Sequence, residues 1–204
     1  MVSEKAKRLI LNFEGLDQPG KWPGGYSGIS LGHGYDLAHV TEDEFEEDWR
    51  YYLSAEQMER LKTAIGVSGQ RAKALSPTFS DIKIRLQDAD EVFSENTLPK
   101  FEEITRAAFP GFDSLPEDAQ GALVALVYNR GSDCGTSDRR LEMRNIKGLV
   151  AAYGNGATES KNDILQQIAN QIKSMKRLWE GQGLNGLLRR RDAEAALVES
   201  CMEV

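Results

Sequence analysis

The sequence predicts an α+β fold that is predominantly α-helical and carries one small β-hairpin. Three observations lead there. Apolar residues recur at helical spacing along most of the 204 residues. Side-chain caps mark where several of those segments begin. Residues 16–37, rich in glycine and holding Pro19 and Pro23, break the helical pattern and end in SGISLGHGYDL, which suits a loop with short strands. No internal repeat, low-complexity tract or long Pro/Gly/Ser linker divides the chain, so a single domain over 1–204 is expected.

Taken in order, residues 3–13 place Ala6, Leu9, Ile10 and Phe13 on one stripe, with Ser3 as N-cap and Gly15 just past the end. Thr41-Glu-Asp-Glu44 is a capping box for a helix carrying Phe45, Trp49, Tyr52 and Leu53, and Ser54-Ala-Glu-Gln57 repeats the device before Gly66. Helices are expected near 68–75 and 88–106, with a turn or short strand in PTFSDIKIRL between them. Ser114-Leu-Pro-Glu117 should cap a helix through AQGALVALVYN, which is apolar nearly all round and therefore central. Residues 137–153, 158–179 and 187–202 read as three further amphipathic helices.

Composition narrows the function classes. A hydrophobic share of 40% and a charged share of 28% are those of a globular protein. No run of about 18 apolar residues exists, so no membrane partner is expected. The start, MVSEKAKRLILNFEG, lacks a small-residue cleavage site and reads as an amphipathic helix rather than a secretion signal. Cys134 and Cys201 are far apart and read as free thiols outside any metal-type cluster. The net charge of −7 is uneven: residues 1–138 hold 14 Lys/Arg against 24 Asp/Glu, and residues 139–191 hold 11 against 4. An acidic chain is a poor general nucleic-acid binder. The basic block either complements the acidic half internally or faces an anionic polymer.

Four groups could carry chemistry. Glu14 ends the first helix, where the macrodipole is already negative and disfavours a further negative charge, the setting a general acid requires. On position alone it is equally a surface glutamate beside a capping glycine. Asp36 closes the hairpin: glycosidic cleavage needs two carboxyl groups across the scissile bond, although a lone aspartate there also suits a local turn bond. Ser30 alternates with Ile29 and Leu31, which would turn its hydroxyl away from their apolar face, and it lacks a Gly-x-Ser-x-Gly nucleophile context. His33 has only His39 as company, so no metal site is expected. Tyr128-Asn129-Arg130, before Gly131, offer stacking and hydrogen bonds to a sugar, or simply satisfy the helix end. Arg189-Arg190-Arg191 could solvate a helix start or touch substrate.

FEG, then SGISLGHGYDL, then ALVALVYNRG, then GLLRRRDAEAAL together resemble the lysozyme superfamily of phage-type muramidases. SGISLGHGYDL is most similar to the hairpin element of pesticin-like lysozyme domains found in bacteriocins and type VI secretion effectors. LPEDAQGALVALVYNRG, DRRLEMRNI and IKSMKRLWEGQGLNGLLRRRDAEAAL extend the likeness nearly to the C-terminus. The resemblance implies a bilobal lysozyme-like fold, with a small β-containing lobe over about 14–60 forming one side of a cleft and a helical lobe for the rest. It implies a catalytic set of Glu14, Asp36 and Ser30, the serine standing where the family pattern has threonine. In the common phage pattern a hydroxyl residue is expected two places earlier, where this chain has Gly28.

What the resemblance implies in function is a muramidase that cleaves the β-1,4 bond between N-acetylmuramic acid and N-acetylglucosamine. Glu14 would act as general acid, Asp36 and Ser30 would position water, and Tyr128, Asn129 and Arg130 would contact the glycan. No cofactor is expected. Peptidoglycan glycan strands are the expected partner of a monomer, with a cognate immunity protein as a further candidate. The wall would be reached by phage lysis or a secretion machine, in the manner of a lysin or an antibacterial effector. A chitinase-like glycosidase and a catalytically inactive wall-binding domain are the alternatives.

Overall fold

A computed structural model describes residues 2–156 and 158–202 of the chain. It is mostly helical, with one small antiparallel sheet. Helix α1 (Glu4–Glu14) precedes strands β1 (Ser30–Leu31) and β2 (Tyr35–Asp36). Helices α2 (Glu42–Trp49), α3 (Ala55–Lys62), α4 (Gly69–Leu75), α5 (Leu86–Val92) and α6 (Leu98–Ala108) follow, with a π-helical segment at Phe93–Thr97. The rest is α7 (Glu117–Arg130), α8 (Leu141–Gly154), α9 (Lys161–Ser174) and α10 (Asn185–Glu199).

The chain divides into two compact units, one of residues 14–99 and one of residues 1–13 with 100–204. The unit that begins at Glu14 runs on to Pro99. Its core shows why. Ile29, Leu31 and Leu37 of the hairpin region belong to one buried cluster with Phe45, Trp49, Leu61, Phe79, Ile82 and Val92, which lie as far along as α5. Burying that much apolar surface needs the helices beyond residue 60, because a two-stranded hairpin has no core of its own.

Local signals explain the helix starts. Both capping boxes form: Thr41 Oγ accepts from the Glu44 amide while Glu44 reaches back to Thr41, and Ser54 and Gln57 do the same. Ser3 accepts from the Ala6 amide at 3.3 Å. Helix α2 stops at Trp49, earlier than expected, and Tyr52 and Leu53 lie in the following turn. Ser114 does not cap α7; it closes a short 3-10 turn, and Pro116 takes the N-cap position without a side-chain bond. PTFSDIKIRL holds a 3-10 turn and no strand.

In the other unit, α7 is buried continuously from Gly121 to Val127, as its all-round apolar surface predicts. Helices α8, α9 and α10 pack in sequence, and α10 also packs on α7. The arginine run divides. Arg189 is exposed, whereas Arg190 and Arg191 are buried and share Glu194 Oε1 at 3.2 and 2.7 Å. Burial pushes the Glu194 carboxyl up, against the pull of the two guanidiniums. Arg190 and Arg191 are thus internal ion-pair partners, neither of the two roles their charge alone suggested. Cys134 and Cys201 are separate, half-buried thiols. No helix of the described residues is long and apolar enough to cross a membrane.

Candidate active site

Glu14 is the last residue of α1, and Gly15 (φ +73°) turns the chain out of the helix, a conformation glycine adopts at little cost. Asp17 then pairs with Gly32 in an antiparallel bridge, its amide donating to the Gly32 carbonyl at 2.6 Å and its carbonyl accepting at 3.0 Å. This bridge lays the segment after Glu14 alongside the hairpin. Within the hairpin, Ser30 pairs with Asp36 and Leu31 with Tyr35. Directly opposed residues of an antiparallel pair share a face, so Ser30 and Asp36 are neighbours.

Asp36 is held tightly. Its Oδ1 accepts from the Gly28 and Ala38 amides at 3.1 and 2.8 Å, and its Oδ2 accepts from the Gly28 amide at 3.0 Å. The local turn bond considered for this residue is therefore present, and it fixes the carboxylate's orientation. Two oxygens offer about four lone-pair sites, so Oδ2 keeps capacity for one more donor such as water. Gly28 is required by this arrangement: a Cβ there would lie 2.3 Å from Asp36 Oδ1 and 2.7 Å from Ala38 Cβ.

Ser30 differs from expectation. Ile29 and Leu31 are fully buried, and Ser30 itself is only 4% exposed, so the strand is covered on both faces instead of presenting an open hydroxyl.

His33 has a role of its own. Its Nδ1 donates to the Gly15 carbonyl at 2.5 Å, and its Nε2 shares a 2.8 Å hydrogen bond with Asp90 Oδ1 on α5. A carbonyl can only accept, so Nδ1 carries a proton. The ring also packs edge-on against Phe93, at a centroid distance of 5.9 Å. The imidazole thus ties the residue after Glu14 to the hairpin and to α5. Composition and spacing could not find this link, because Asp90 lies 57 residues further along.

Asp17 was not singled out from the sequence. Burial, followed by the charges of Glu14 and Asp36, holds its carboxyl above the ordinary aspartate range, with His33 acting the other way. Glu14, Asp17, Asp36 and His33 therefore form one electrostatic group. Its only sequence signal was an acid three residues after Glu14; the bridge to Gly32 is long-range.

Tyr128, Asn129 and Arg130 belong to the other unit. The Tyr128 ring packs on Phe101 at 4.5 Å, and Asn129 Oδ1 accepts from Arg191 at 3.1 Å. Arg130 lies over the Trp179 ring at 5.0 Å and donates to the Arg139 carbonyl at 2.7 Å. Asn129 and Arg130 border a cavity of about 430 Å³ together with Ser137, Arg139, Arg140, Trp179 and Leu187. Tyr128 is not among its lining residues. Burial and the neighbouring guanidiniums of Arg191 and Arg140 push Arg130 down to about 10. No group of three or more His, Cys, Asp or Glu able to hold a metal occurs among the described residues.

Fold and site together describe a mainly helical α+β protein with a carboxyl-rich hairpin region. A family model described as a domain of unknown function (DUF8812) matches residues 18–108. That stretch contains the hairpin, His33 and Asp90 and leaves out Glu14 and the α7 residues. No curated protein matches the chain.

Proposed function

We propose that the protein is a peptidoglycan hydrolase, a muramidase cleaving the β-1,4 bond between N-acetylmuramic acid and N-acetylglucosamine. The observation that carries this reading is the pairing of Ser30 with Asp36 on a hairpin that the Asp17–Gly32 bridge and His33 fasten to the turn after Glu14. It supports a role for three side chains that the resemblance to phage-type and pesticin-like muramidases also selects.

In this mechanism Glu14 protonates the leaving oxygen. Asp36, oriented by two backbone amides, accepts a proton from water through its remaining Oδ2 capacity, and Ser30 helps to place that water. An oriented carboxylate acting on water predicts inversion, with the two carboxyl groups roughly 6.5–9.5 Å apart rather than about 5–5.5 Å. Tyr128, Asn129 and Arg130 are the proposed glycan contacts. The setting is that of a phage lysin or of an antibacterial effector delivered to the wall by a secretion machine, with an immunity protein as its partner in the second case.

Digestion of purified walls with analysis of the reducing ends tests the proposal. Muramic acid ends support it, and N-acetylglucosamine ends point to a chitinase-like cleavage. One feature favours a second reading, a wall-binding domain without activity: Asp36 is engaged by backbone donors and Ser30 is buried. Such a domain would sediment with walls and release nothing.

A further inference from the structure

The cavity at the C-terminal end of α7 has a lining of one sign. Arg130, Arg139 and Arg140 contribute guanidiniums, Asn129 and Ser137 contribute an amide and a hydroxyl, and none of the lining residues is acidic. Three carbonyls of its lining residues are already engaged: Arg130 donates to the Arg139 carbonyl at 2.7 Å, Arg140 to the Arg130 carbonyl at 2.9 Å, and Arg144 to the Ser137 carbonyl at 3.0 Å. What is left over is donors. Asn129 Oδ1 accepts from Arg191, which turns the Asn129 Nδ2 into the free end of that amide. Arg139 is exposed, and no side-chain hydrogen bond or ion pair of Arg139 occurs among the described residues. Asp133 offsets only Arg140, at 3.2 Å.

Such a lining calls for an anion. Arg130 is held down by burial and by the guanidiniums around it, so a bound negative charge would relieve a repulsion built into the fold. Leu187 and the Trp179 ring add an apolar wall, which a small hydrated inorganic ion would not use and an organic scaffold would. Planar guanidiniums also match carboxylates in two-point contacts. The volume of about 430 Å³ exceeds one carboxylate and fits a molecule of several bonds carrying it.

We propose that this cavity is a binding site for a carboxylate-bearing organic ligand, recognised by Arg139 and Arg130 against the Leu187 and Trp179 wall. Such a carboxylate could come from the peptide stem of a wall fragment or from a free organic acid. The proposal does not depend on hydrolysis by Glu14.

Isothermal titration of the full chain tests it with four probes: the tetrapeptide L-Ala–γ-D-Glu–meso-diaminopimelate–D-Ala, the same peptide with its carboxylates amidated, citrate, and inorganic phosphate. The expected result is binding of the tetrapeptide or of citrate, with phosphate and the amidated peptide at least tenfold weaker. Whichever of the first two binds more tightly identifies the source. Arg139→Gln, at an exposed side chain and checked for folding by circular dichroism, should weaken the bound probe at least fivefold. Arg130→Gln should do the same, and Arg139→Gln keeps the test decisive if Arg130→Gln misfolds. Equal affinity for acid and amidated peptide, equal affinity for phosphate, an unaffected Arg139→Gln, or no binding of any probe each overturns the proposal. Because titration reads no turnover, failure of wall hydrolysis would leave this result standing, and the converse also holds.

Discussion

Replacing Gly28 by alanine probes how the hairpin holds its carboxylate. The added methyl would sit 2.3 Å from Asp36 Oδ1, 2.7 Å from Ala38 Cβ and 2.8 Å from the Ala38 amide nitrogen. Asp36 can swing away only by giving up the Gly28 and Ala38 amides, and hydrogen bonds to a charged group are worth about 1.5–3 kcal/mol each. The contact with Ala38 is with backbone and persists, as overpacking worth about 1–3 kcal/mol. Gly28→Ala should therefore cost roughly 4–9 kcal/mol and lower the melting temperature by about 10 °C or more, at about 2–4 °C per kcal/mol for a chain of this size. Asp36→Ala alone should cost about 3–6 kcal/mol for the same two amide donors, and the double variant should cost less than the sum by about that amount, because both single variants lose those bonds. Urea unfolding followed by circular dichroism measures all three. Gly28→Ala within about 0.5 kcal/mol of wild type, or strict additivity, would refute the packing described around Asp36.

Further predictions address the same region and the buried charges. His33→Ala removes the ring joining the Gly15 carbonyl to Asp90 and should cost about 2–4 kcal/mol in urea unfolding, with wall hydrolysis falling beyond the loss of folded protein. Asp17→Asn should stabilise at neutral pH. Its carboxyl holds its proton more tightly folded than unfolded, so its ionisation cost grows as pH rises from the ordinary 3.8 through the raised folded value and is fully present above it. The gain, on the order of 1–3 °C in melting temperature at pH 7, should vanish near pH 3. A gain that is equal at both pH values would contradict the half-buried setting of Asp17. Glu194→Gln removes the carboxylate that Arg190 and Arg191 share and should destabilise by about 3–5 kcal/mol in denaturant unfolding.

The sequence carried the parts of this fold that are decided locally. Thr41 and Ser54 announce their helices because a capping box closes within four residues, and α7 declares itself central because every face of it is apolar. The hairpin was legible from its glycines and alternation. What stayed hidden depends on distant residues. Ser30 is only 4% exposed, and alternation cannot report what packs on either face of a strand. His33 looked incidental because its partners, Gly15 and Asp90, lie 18 and 57 residues away. Asp17 became part of the carboxyl group through one bridge to Gly32. Arg190 and Arg191 stayed open between solvating a helix start and touching substrate, since a run of arginines has no periodicity that separates inside from outside; Glu194 is buried beside them.

Digestion of purified peptidoglycan by the wild-type protein and by Glu14→Gln, with the released fragments resolved by mass spectrometry, tests the central claim most directly. The account predicts soluble muropeptides with muramic acid reducing ends from the wild type. It predicts a rate lower by roughly 10²–10⁴-fold from Glu14→Gln, the contribution of one general acid, in protein shown to be folded by circular dichroism. Release at the wild-type rate by a folded Glu14→Gln protein would contradict it.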